Sequence, residues 1–214
     1  MIIIVKYLVF LKNYTKFKLS ILQAVYTSIR RLIMNKFYIK KVWTVFCLGI
    51  IVNCSLNAFG TFGGFSIEKE LYDYICATLE EGKTILELGS GFGTGELAKR
   101  YTMYSIEHDK RWLGKHQSTY IYAPFINGWY DVNVLMDQLP AEYDLILVDG
   151  PYWPEERFGF ATYFELFRQD VPIIFDDVNV KTVYNTMVEV SKKLGRPFSV
   201  FQTGPKRVGI IFTS

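Results

Sequence analysis

The stretch ILELGSGFGTG, residues 85–95, decides how the chain is read. Its first half is an apolar run broken by one acid, Glu87, and its second half places glycine at 89, 91, 93 and 95 ahead of a helix-compatible segment. A buried strand that turns tightly into a helix has this form. Glycines suit such a turn because they accept positive φ and let a ligand lie against bare backbone, while the following helix start offers unpaired N–H groups. The turn is built to hold a small molecule.

The flanks narrow the choice. A dinucleotide fingerprint needs G-x-G-x-x-G/A, and counting from Gly89 the third position is Thr94, so the pattern fails there. A second acid, Glu107, closes the next apolar run, MYSIEHD at 103–109. With an acid before a Gly-x-Gly-x-Gly turn and an acid at the end of the second strand, residues 67–214 resemble the class I S-adenosylmethionine (SAM) dependent methyltransferases. A nicotinamide-dependent dehydrogenase is the runner-up, disfavoured by Thr94. A module that binds SAM without turnover is the alternative outside enzymes.

Outward from the turn, strands and helices alternate. A helix is expected over 67–79, the first strand over 84–88 and a helix over 93–101. The second strand follows at 103–107, a helix at 110–117 and a third strand at 120–123, ended by Pro124 and the GWYD turn. EYDLILVDGPYW (142–153) carries a continuous apolar run, as a parallel strand covered on both faces does, and VPIIFDD (171–177) supplies the fifth strand. Positions 180, 183, 184, 187, 190 and 194 mark one helix face, terminated by Gly195 and Pro197. FSVFQTGPKRVGIIFT closes the chain as a hairpin around Gly-Pro. The expected fold is α/β: a Rossmann-like, seven-stranded, mostly parallel sheet with an antiparallel last strand and helices on both faces.

In such a sheet, ligands bind where strand C-termini open a crevice, so the residues ending the strands are the candidates. The resemblance implies SAM as cofactor, held by Glu87, Gly89, Gly91, Gly93, Glu107 and His108. Glu87 would face its amino group and sulfonium, Glu107 its two ribose hydroxyls, and His108 its adenine. Asp149 ends the fourth strand, and Asp176 and Asp177 end the fifth. One of these carboxylates could take a proton from a hydroxyl, with Asp149 and Asp176 as the catalytic candidates, or the three together could hold a divalent cation through oxygen. Catechol-type O-methyltransferases hold a metal at corresponding positions, with Asn where this chain has Asp177. The VDGP string followed by Arg157 is also similar to glucuronoxylan methyltransferases. Tyr152 and Arg157, in the aromatic loop GPYWPEERFGF (150–160), are the candidates for contact with the acceptor. The expected activity is methyl transfer to a small-molecule acceptor, with a hydroxyl oxygen favoured.

Charge is strongly asymmetric. Nine basic residues and no acid precede Glu68, so residues 1–67 carry +9, while fifteen basic residues against twenty-one acids leave residues 68–214 at −6. An acidic domain argues against unaided binding to nucleic acid, which needs a Lys/Arg surface to neutralise phosphate. Cys47, Cys54 and Cys76 show neither C-x-x-C spacing nor partnered histidines, which speaks against zinc and a disulfide framework.

Residues 1–60 read as a basic apolar leader to a domain at 61–214. From Met34, an alternative start, a charged stretch, the apolar run VWTVFCLGIIV (42–52) and NCSLNAFG follow in the order of a secretory signal peptide. A membrane anchor within 42–60 is the competing reading, though a span needs about 20 apolar residues. Either carries the domain across a membrane, whereas a cofactor made in the cytosol favours a domain kept inside. Residues 1–33 carry a basic amphipathic pattern that fits a membrane-surface helix or an untranslated upstream stretch.

Overall fold

A computed structural model describes residues 66–213. The leader, with its signal, anchor and alternative-start readings, lies outside the described residues. Among these residues no helix is long and apolar enough to cross a membrane.

Helix α1 (Lys69–Thr78) buries Leu71 and Ile75 and leads to strand β1 (Thr84–Leu88). The glycine turn follows, then helix α2 (Phe92–Leu97) and strand β2 (Thr102–Glu107). After β3 (Thr119–Tyr122) come two short strands, β4 (Phe125–Ile126) and β5 (Trp129–Tyr130), and helix α3 (Val132–Gln138). Next are β6 (Leu145–Val148), a 3-10 helix (Pro154–Phe158), α4 (Gly159–Thr162) and β7 (Ile173–Phe175). Helix α5 (Lys181–Leu194) and the hairpin β8 (Phe198–Thr203) and β9 (Lys206–Ile211) complete the unit.

The main sheet has the order β3-β2-β1-β6-β7-β9-β8. The pairs from β3 to β7 are parallel, and β9 runs antiparallel to both β7 and β8. That is the expected seven-stranded architecture. Side chains alternate across the sheet, so β1 sends Leu86 and Leu88 to one core with Trp129, Tyr130, Phe160 and Phe175, and Ile85 to the other with Leu71, Ile75 and Leu97. Both faces are therefore covered, which explains why all four residues of β6 are apolar and buried.

Three local readings are corrected. The helix expected at 110–117 is a series of turns and bends, because Gly114 takes φ +73° and interrupts any helical run. The segment after β3 is a tight hairpin, not a plain turn. Asn127 and Gly128 both take positive φ there, as an Asn-Gly two-residue hairpin loop requires. Helix α3 was not anticipated; its N-terminus is capped by Asp131, whose carboxylate accepts the Asn133 N–H. By contrast, α5 ends as read, on Gly195 at φ +62°.

Candidate active site

The parallel strands all open their C-terminal ends on one edge, and the candidate residues collect there. The glycine turn is fastened by side chains. Thr94 Oγ1 accepts the Gly91 N–H at 2.9 Å and donates to Glu87 Oε2 at 2.7 Å, and Ser105 on β2 donates to the same oxygen at 3.0 Å. Thr94, the residue that breaks the dinucleotide pattern, is thus what ties the turn to its strand. Burial pushes the Glu87 carboxyl up to about 8, against the pull of the Thr94 and Ser105 hydroxyls. Gly89 takes φ +91° and lies against Gly150, the residue after Asp149, so that a Cβ on Gly89 would stand 3.0 Å from Gly150 Cα. Gly93 faces inward, where a Cβ would stand 3.0 Å from Ile67 Cγ1.

Glu107 ends β2 and is buried. Its Oε1 accepts the N–H groups of His108 and Asp109, both at 2.7 Å. Burial raises its pKa, and those backbone donors work against the rise. His108 stacks on Phe125 at 4.1 Å and 14°, and both rings lie 6.1 Å from Trp153. Burial lowers the His108 pKa, favouring the neutral imidazole. Tyr130 closes this aromatic group from beneath, wholly buried, with no hydrogen-bond partner for its hydroxyl among the described residues.

Asp149, Asp176 and Asp177 offer carboxylate oxygens within 4.8 Å of one another, so the structure does gather the three acids. Asp177 holds φ +59°, a left-handed conformation that Asp tolerates better than most residues and that marks strain at a strand end. Two cations stand among the acids. Lys206 Nζ, at the start of β9, lies 3.0 Å from Asp176 Oδ2 and 3.1 Å from Asp177 Oδ1. Arg157 Nη1 lies 3.2 Å from Asp177 Oδ2, with Nη2 3.9 Å from Asp149 Oδ1. Burial, with the neighbouring Asp176 carboxylate, raises Asp149 well above the carboxylate range, and Arg157 and Lys206 oppose the rise.

The arginine expected to meet a substrate is turned inward. Its side chain is 4% exposed, and it also donates to the carbonyls of Pro151 at 3.0 Å and Asp176 at 3.3 Å. Tyr152 does stay at the surface, 60% exposed, with its ring edge-on to Trp153 at 5.4 Å.

Comparison with solved structures rests on this topology. A methyltransferase from Pyrococcus furiosus aligns with a TM-score of 0.50 and 16% identity, over 79% of this chain and 98% of that one. The fold is that of the class I SAM-dependent methyltransferases. A magnesium protoporphyrin IX methyltransferase from Synechocystis PCC 6803, solved with bound SAM, also aligns, with a TM-score of 0.47 and 14% identity over 86% and 89% of the two chains. No protein-family model and no curated protein sequence matches the chain.

Within this methyltransferase fold, the edge that carries the glycine turn suits SAM. A strand-end carboxylate, Glu107, and aromatic rings flank a turn of glycines pinned from behind by Thr94. The acid cluster does not suit a divalent ion equally well, because the Lys206 ammonium already bridges two of the three carboxylates. Ser105, Trp153 and Lys206 were not among the residues singled out in the sequence, and Thr94 was noted only for breaking the dinucleotide pattern. Thr94 had a signal, being a hydroxyl three residues after Gly91 at a helix start. Lys206 had none, since its pairing depends on where the C-terminal hairpin enters the sheet.

Proposed function

We propose that the chain binds SAM and transfers its methyl group to a hydroxyl oxygen of a small molecule. The observation that carries this reading is the contact between Gly89 and Gly150, which sets Asp149 directly beside the glycine turn. Bound SAM supplies an electrophilic methyl on a sulfonium, so the protein's tasks are alignment, exclusion of water and removal of one proton. Glu107 would hold the ribose hydroxyls, its Oε1 anchored by the N–H groups of His108 and Asp109. His108, Phe125 and Trp153 would supply the surface for the adenine. Glu87 would hold the amino end of the cofactor. Asp149 accepts the hydroxyl proton, helped by burial that raises its basicity, and Tyr152 and Trp153 border the acceptor. Asp176 shapes the field around Asp149 through its pairing with Lys206.

Calorimetry of the full chain with SAM and with NAD tests the cofactor, and turnover against pooled hydroxylated acceptors tests the reaction. NAD binding without SAM binding would overturn the reading. SAM binding with methylation of amines alone would defeat the oxygen acceptor. The acidic domain disfavours a nucleic-acid substrate.

A further inference from the structure

The carboxylate cluster at the ends of β6 and β7 draws a cation from an unexpected direction. Asp149, Asp176 and Asp177 come from the C-terminal ends of two parallel strands, whereas Lys206 enters from β9, the antiparallel strand, through the register that sets Phe175 opposite Gly209. Its Nζ meets Asp176 Oδ2 and Asp177 Oδ1 together, and Asp176 is fully buried. An ion bridging those two oxygens would need to lie about 2.0–2.6 Å from each, in space shared with a like charge. Arg157 adds a second cation, 3.2 Å from Asp177 Oδ2 and 3.9 Å from Asp149 Oδ1, while Asp176 Oδ1 is buried with no hydrogen-bond partner among the described residues. Three acids thus meet two fixed protein cations.

We infer that Lys206 is the resident cation of this site: its ammonium, bridging Asp176 and Asp177, takes the place of a divalent ion, and the site works without metal. Lys206 acts as a positioning residue, fixing two carboxylates beside Asp149. The inference concerns the acid cluster of the proposed active site, yet it does not depend on methyl transfer.

The test uses the full chain after dialysis against chelator, titrated with Mn2+ alone and followed by the loss of the free-ion electron paramagnetic resonance signal. Wild-type protein shows no saturable uptake. Lys206→Met, which keeps the length of the side chain and removes its charge, takes up Mn2+ at least about ten-fold more tightly, as expected when a like charge leaves a carboxylate cluster. Asp176→Asn in the Lys206→Met background removes that uptake. Should Lys206→Met fail to fold by circular dichroism, Lys206→Gln carries the same test with a hydrogen-bond donor retained. Saturable Mn2+ uptake by wild type that Asp176→Asn abolishes would overturn the inference, as would a folded charge-removing variant that binds Mn2+ no better than wild type. SAM affinity of the same samples is a separate reading: its absence would sink the proposed function and leave the Mn2+ result standing.

Discussion

Gly150 lies so close to Gly89 that a Cβ on Gly150 would stand 2.6 Å from both the Cα and the N of Gly89, and 2.7 Å from the Tyr130 hydroxyl. Backbone presses on backbone here, so neither partner can give way as a flexible side chain would. The glycine turn after β1 and the loop that carries Asp149 are therefore one rigid unit. Gly150→Ala is expected to destabilise the protein by about 1–3 kcal/mol, the usual range for overpacking. The check is the midpoint of chemical denaturation. SAM affinity should fall with it, and a variant as stable as wild type would show that the two loops separate readily.

Glu87 gives a pH dependence with a definite sign. Its folded pKa, raised from an ordinary 4.5 to about 8, means that the native state holds a proton which the unfolded chain releases between those values. Its contribution to stability is fully present below about pH 4.5 and is lost as pH rises through 8, at about 1.4 kcal/mol per pKa unit as an upper bound. Glu87→Gln keeps an acceptor for Thr94 and Ser105 without the titration. Its stability should match wild type near pH 5 and exceed it near pH 8, as thermal melts across the range would show. A wild-type profile flat over that interval would mean that Glu87 is ionised in the fold.

Glu107 and Asp149 should separate binding from chemistry. Loss of a hydrogen bond to a charged group is worth about 1.5–3 kcal/mol, so Glu107→Ala should weaken SAM binding by roughly ten-fold to more than a hundred-fold by calorimetry. Asp149→Asn should leave SAM affinity unchanged and lower kcat by about 10²–10⁴-fold, the range for general base removal. Equal effects on binding and turnover in Asp149→Asn would remove it from the proton path.

Arg157 is read as a structural cation, and a double-mutant cycle can prove it. Arg157→Met removes a buried guanidinium paired with Asp177 and should destabilise by about 3–5 kcal/mol. Adding Asp177→Asn should recover part of that loss, since Asn tolerates the left-handed backbone at this position as Asp does. Strict additivity of the two losses in urea denaturation would argue that Arg157 and Asp177 do not interact.

What could be read from the sequence was whatever depended on neighbours along the chain. Strands β1 and β6 announced themselves as apolar runs, and Glu87, Glu107 and Asp149 were found because an acid at the end of such a run is conspicuous. The backbone of α5 was legible from its period and from Gly195. Hidden were features set by contact between distant segments. The inward turn of Arg157 follows from the carbonyls of Pro151 and Asp176, one on each of two strand-end loops. Lys206 meets Asp176 across 30 positions, through an antiparallel register that no local pattern encodes. The residues from 110 to 117 misled because a helix after the second strand is the ordinary rhythm of this architecture, and a single glycine at positive φ overrode it.

The placement of β9 has a consequence for how the polypeptide acquires its shape during synthesis. Among the described strands β9 comes last in the chain, yet it sits one place in from the border of the sheet, hydrogen-bonded to β7 on one side and β8 on the other. A nascent chain that stops short of residue 206 presents β7 as an open parallel border of apolar residues, the kind of surface that recruits strands from other molecules. The same unfinished chain holds Asp176 and Asp177 without their lysine. Completion of the hairpin therefore seals the aggregation-prone border and neutralises the acids in a single late event, so nascent chains cut before residue 206 should associate and those extended past residue 211 should stay dispersed.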